Sequence, residues 1–115
     1  MSGGYFDYRN YVLEDIAETI RNTIVNHRDP NWIKQQKEHE TWTKFEPLPK
    51  EVLKVYEQAY KAIYKANIYA RRIDWLESGD DGEETFLKRT KEELEKAKQW
   101  FKICFKEMAS EADDD

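Results

Sequence analysis

Ile73-Asp74-Trp75-Leu76-Glu77-Ser78-Gly79-Asp80-Asp81-Gly82-Glu83-Glu84 is the stretch on which the fold turns. One apolar helical pattern runs into it, another leaves it, and between them stand two glycines, a serine and two aspartates. Glycine tolerates the left-handed conformation that closes helix C-termini, so Gly79 is the expected stop of the incoming helix. Asp81 followed by Glu84 has the spacing of a capping box. Asp80, Asp81, Glu83 and Glu84 all suit the positive end of a helix dipole, so a new helix is expected from Gly82. Two long helices joined by so short a loop must run antiparallel.

On the N-terminal side, Val52, Tyr56, Ala59, Ile63, Ala66, Ala70, Ile73 and Leu76 share one helical face and predict a helix over 49–77, with Pro49 in its first turn. That is roughly 40 Å at 1.5 Å per residue. On the C-terminal side, Leu87, Thr90, Leu94, Ala97, Phe101, Cys104 and Met108 alternate steps of three and four, a heptad seam predicting a helix over 82–110. Residues 110–115 read as a solvated acidic tail. Near the start, Val12, Leu13, Ile16, Ala17, Ile20, Ile24 and Val25 predict an amphipathic helix over 8–27, ended by Asp29-Pro30 because a residue before proline is pushed out of the α region. Between them, Trp32, Ile33, Trp42 and Phe45 flank a polar run, and a short helix over 31–41 is expected within an otherwise irregular 31–48. The fold class is therefore all-α, a small helical bundle built on a long antiparallel hairpin, with one domain over 1–109.

Composition supports a packed core. Four Trp, seven Tyr and five Phe supply large stiff apolar bodies to a chain that is 37% charged. Phe86, Trp100, Ile103 and Phe105 flank the seam and exceed what one narrow contact covers, so a second copy of the chain is one expected partner. The net charge of −5 is uneven: Lys and Arg number 6 against 8 Asp and Glu over 1–49, 6 against 4 over 50–79, and 7 against 12 over 80–115. An acidic balance argues against a dedicated duplex-DNA binder. The single Cys104 has no internal disulfide partner and lies in an apolar stripe, which fits a reducing cytoplasm. No apolar run approaches the ~18 residues of a membrane span, and no signal peptide is expected.

Catalytic and metal signatures fail on spacing. Neither His27 nor His39 follows a glutamate at three residues, as a helical di-iron site requires. With Gly79 or Gly82 at the invariant glycine of a calcium loop, the closing position is Thr85 or Lys88 rather than Glu. Phosphate loop and nucleophile elbow are both missing, and Cys104 on the seam reads as core. The expectation is a non-enzyme with no cofactor, no metal and no catalytic residues. Two features point to binding instead. Tyr56, Tyr60 and Tyr64 at four-residue spacing, beside Lys61, Lys65, Arg71 and Arg72, have the means to stack a base and hold a phosphate, though tyrosines at a core rim would show the same pattern. The hinge itself offers N–H groups at a helix N-terminus, already served by local acids.

Met1-Ser2-Gly3-Gly4-Tyr5-Phe6-Asp7-Tyr8, taken with the Ile73–Glu84 stretch, resembles small uncharacterised proteins of bacteriophages and prophages. Those open with Met-Ser-Gly-Gly, an aromatic and Asn/Asp-Tyr, and carry an acid-Trp-x-x-Ser-x-Asp segment before their last helix. The resemblance implies a phage accessory gene product acting in the cytoplasm of an infected bacterial host, with no activity to transfer. A phage-encoded, non-enzymatic binding protein that antagonises host defence is the leading expectation, by binding a host protein or by sequestering a nucleotide signal. A phage structural or assembly factor, in which the hairpin oligomerises, is the alternative. The expected ligand-binding residues are Gly3, Gly4, Tyr5, Phe6 and Tyr8 of an N-terminal arm, with Tyr64, Arg71, Arg72, Asp74, Trp75 and Asp80 near the hinge.

Overall fold

One helix stops at Glu77 and the next starts at Glu83, and the backbone between them shows why. Gly79 sits at φ 86°, in the left-handed region where a side chain would be strained. Its N–H donates to the Leu76 carbonyl at 3.1 Å, and the N–H of Asp80 reaches back to Trp75 at 2.9 Å. This bond pair is the Schellman closure that the glycine predicts. The computed structural model describes residues 9–39 and 44–105. Among these it is all-α, with α1 at Asn10–His27, α2 at Pro30–His39, α3 at Lys50–Glu77 and α4 at Glu83–Cys104. Any continuation of the last helix beyond 105, the acidic tail, Trp42 and the N-terminal arm lie outside the described residues.

Backbone packing joins α1 to α3, α3 to α4, and α1 to α2. The small bundle is thus arranged around α3, which is covered by α1 on one side and α4 on another. A mixed aromatic cluster welds these layers. Tyr60 is 3% exposed, and its hydroxyl accepts the Trp100 indole N–H at 2.8 Å. Its ring meets Phe101 and Phe105 edge-on at centroid distances of 6.0 and 5.5 Å. Arg21 of α1 reaches over Trp100 at 5.8 Å from the ring centroid, bringing the third helix in. Burial pushes the Tyr60 phenol up to about 12. Burial likewise raises Tyr64 and the Cys104 thiol above their ordinary values.

The segment after α1 is held by a second, smaller cluster. Asp29 caps α2, its Oδ1 accepting the Asn31 N–H at 3.0 Å, with Pro30 as the first helical residue. The Asp-Pro pair expected only to end α1 therefore also begins α2, one residue earlier than the spacing predicts. His27 Nδ1 accepts the Leu48 N–H at 3.0 Å, and its ring lies 5.0 Å from Trp32 and 5.9 Å from Phe45. This ties both ends of the crossover to the end of α1. Nearby, Arg28 meets the buried Glu57 carboxylate of α3 at 2.8 Å.

Four sequence expectations need correction. The Asp81–Glu84 capping box does not form: α4 is capped by Gly82 in extended conformation, without a side-chain bond. Asp81 instead gives its carboxylate to Arg72, a charge-assisted contact stronger than a cap. The buried line of α3 is not Val52-to-Leu76. It runs through Leu53, Glu57, Tyr60, Ile68, Arg72 and Asp74, and Ala66 is exposed. A helix packed on two sides has two contact faces, and three of these positions are paired polar groups that a hydrophobic pattern cannot register. Finally, the α4 seam holds at Thr90, Ala97 and Phe101, but Leu87 is 67% exposed. Pro49 is the extended N-cap of α3 rather than its first-turn residue.

Gly79→Ala is expected to cost about 1–2 kcal/mol from backbone strain alone, since nothing lies within 4 Å of the added Cβ. Gly82→Ser supplies the missing cap hydroxyl and should hold or raise Tm. Thermal melts followed by circular dichroism check both, and a neutral Gly79→Ala would contradict the Schellman assignment. Because folded Tyr60 keeps its proton to about pH 12 while the unfolded phenol loses it near 10, its contribution is intact below pH 10 and fades as pH rises toward 12. The loss is on the order of 3 kcal/mol. Urea midpoints across that range should fall more steeply for the natural chain than for Tyr60→Phe.

Candidate functional site: the outer groove of the hairpin

The hinge gathers charge in a specific way. Arg72 is 2% exposed, and its guanidinium bonds Asp81 on one branch and Glu93 of α4 at 3.2 Å on the other. The indole of Trp75 covers it, with the ring centroid 4.5 Å from Cζ. Its Nε is buried without an acceptor among the described residues. Arg71, more exposed, also reaches Glu93 at 2.9 Å. The fork of one arginine therefore ties α3, the loop and α4 together.

This placement decides how the expected site residues are arranged. Arg71, Arg72 and Trp75 come together, joined by Asp81 and Glu93, neither of which was among them. The Arg72 guanidinium is turned inward and shared between carboxylates, so it offers nothing to an outside anion. Asp74, two positions on, is 1% exposed on the other side of α3, and Asp80 is exposed in the loop. Tyr64 packs edge-on against Phe101 at 5.3 Å as part of the core. Gly3, Gly4, Tyr5, Phe6 and Tyr8 lie outside the described residues.

A different surface has the shape of a receptor. Along the α3–α4 hairpin, on a face to which α1 contributes no residue, lies a groove of about 530 Å³. Pockets that hold drug-sized ligands have volumes of roughly 300–1,000 Å³. It is lined by Tyr69, Phe86, Leu87, Thr90 and Leu94, and by the charged Lys65, Lys91 and Lys98 with a single Glu95. Tyr69 is 47% exposed and Leu87 67%, so the groove leaves large apolar groups in water. Thr90 is 9% exposed, yet its hydroxyl has no hydrogen-bond partner among the described residues. A buried orphan of that kind costs roughly 1–3 kcal/mol.

Why these residues meet follows from the register of the hairpin. Tyr60 faces Phe105, Tyr64 faces Phe101 and Arg72 faces Glu93, so each step along α3 is matched by an equal step back along α4. That register brings Lys65 level with the turn holding Lys98, and leaves Phe86 and Leu87 toward the hinge. In the sequence, lysines trail the seam on its flank, Lys91 after Thr90 and Lys98 after Ala97. Periodicity alone reads those as solvated, and Tyr69 falls outside the four-residue tyrosine series. The signal was therefore present but divided between two helices.

Among the described residues, no three of His, Cys, Asp or Glu are placed to hold a metal, and no helix is long and apolar enough to cross a membrane. Comparison with protein-family models, with curated proteins and with solved structures gives no match.

Arg72→Met strands the buried Asp81 carboxylate without its cation, while Glu93 keeps Arg71, and is expected to cost about 3–5 kcal/mol. Arg71→Met, at a pair with more solvent, should cost under about 1 kcal/mol. Denaturant titration of both variants separates them, and equal losses would sink the assignment of Arg72 as the tie.

Proposed function

We propose that this chain is a phage-encoded, non-enzymatic binding protein that antagonises a host defence by sequestering a small anionic signal, with a nucleotide as the first candidate. The groove of the α3–α4 hairpin is its receptor surface. One observation carries the reading: on a chain of net charge −5, an apolar groove of small-molecule volume is lined by three lysines against one glutamate. Opposite charge in the lining raises local ligand concentration and orients encounter, while the apolar side chains supply contact area. Tyr69 among them gives a base an aromatic face to stack on. The phage origin and the cytoplasmic site of action rest on the resemblance of the N-terminal and hinge segments. The choice of a small ligand over a host protein rests on the size and charge of the groove.

Isothermal titration of the full chain against a panel of cyclic and linear nucleotides tests this. Heat from at least one member, lost in Leu87→Ser, is the expected outcome. Leu87 is largely exposed, so that variant should fold as the natural chain does. Binding that survives Leu87→Ser unchanged would place the ligand elsewhere, and a silent panel would end the nucleotide reading.

A further inference from the structure

The groove is not uniform along its length. From Leu87 to Lys98 it follows α4 for about 16 Å at 1.5 Å per residue, and its chemistry changes along the way. Toward the hinge the lining is Phe86 and Leu87, with Lys91 one turn further along α4. At the other end, the hairpin register sets Lys65 and Lys98 on facing helices within about a turn of the same level. Glu95 stands as the lone acid beside them. Thr90 lies between the two ends, nine-tenths buried, with its hydroxyl unpartnered.

Resting on the groove as receptor surface, we infer that its ligand is an amphiphilic anion. Its phosphate or carboxylate head lies between Lys65 and Lys98, and its apolar or aromatic body runs along Leu94 toward Phe86 and Leu87. Charge complementarity fixes the head: two ammonium groups from opposite walls give a dianion or carboxylate charge-assisted bonds that water does not match in an apolar cleft. Exposed Leu87 and half-buried Phe86 fix the tail, because a ligand without an apolar body would leave that surface wet. A nucleoside phosphate and an acyl carboxylate share this chemistry.

Calorimetry on the full chain at low salt separates the two sources and tests the polarity. The probes are AMP and octanoate, their uncharged counterparts adenosine and octanol, and inorganic phosphate. AMP or octanoate, whichever source is right, should bind about tenfold or more tightly than its uncharged counterpart and than phosphate alone. Lys65→Met with Lys98→Met should weaken that binding by a similar factor, while Lys34→Met on α2 leaves it unchanged. Thr90→Val should leave binding unchanged while holding or raising Tm, since it removes a buried, unpaired hydroxyl that the groove does not expose. Equal affinity for the uncharged counterpart, or equal weakening by Lys34→Met, would overturn the anionic pole with the groove still a binding site. Equal affinity for phosphate alone would overturn the amphiphile. Silence from all five probes would remove the groove reading itself.

Discussion

The buried guanidinium of Arg72 is the constraint on which the hairpin depends. A charge held at 2% exposure has lost its water, and several kcal/mol of desolvation must be offset by what surrounds it. Arg72 meets that demand with a carboxylate from the loop, a carboxylate from α4 and an indole face from its own helix. A planar fork can serve two acceptors in fixed directions where an ammonium could not. Because the acceptors come from three consecutive parts of the chain, satisfying the charge sets the loop path and the level of α4 at once. A slip of α4 by one residue would rotate Glu93 away and leave the buried cation with Asp81 as its only carboxylate.

With the hinge end set in this way, the far end is closed by aromatic contact rather than charge. Tyr60 and Tyr64 pack edge-to-face on Phe101 and Phe105 and tilted on each other, and Trp100 joins them through one hydrogen bond. Such pairs add modest specificity to a large area term from burial. Between the two clamps the walls of the hairpin are held apart by ordinary side chains, and on the side away from α1 nothing from α1 fills the gap. The groove is a by-product of this arrangement: two fixed ends, a register common to both, and an uncovered face between them.

The same geometry explains why the middle of the chain carries the binding chemistry. Local excess of Lys and Arg over 50–79 was legible as a number, but the individual cations divide by role. Arg71 and Arg72 are turned to the carboxylates of α4 and the loop, Lys61 lies over the Phe101 ring at 5.9 Å, and Lys65 lines the groove. Reading the arginine pair as the open clamp followed from sequence proximity to a glycine loop. Packing turned one inward and gave both a carboxylate, so the free cationic surface moved to the lysines.

Local chemistry was readable from the residues in order. Gly79 stops α3 because only a residue without Cβ sits easily at positive φ. Asp29-Pro30 breaks one helix and caps the next because proline bars the preceding α conformation and needs no N–H at a first turn. The spacing of apolar residues marked three of the four helices and their order, since 3.6-residue periodicity is a property of each segment by itself; the short α2 lies in a polar run where that periodicity is weak. What lay beyond it were the pairings between segments: Asp81 with Arg72 instead of a helix cap, Glu57 with Arg28, the His27 ring with Leu48, and the lysines of α4 with Tyr69 of α3. These depend on which faces of separate helices meet and at what level. Burial energy is decided there, because a polar group is tolerable inside a core only when a particular distant partner arrives at the right distance and angle.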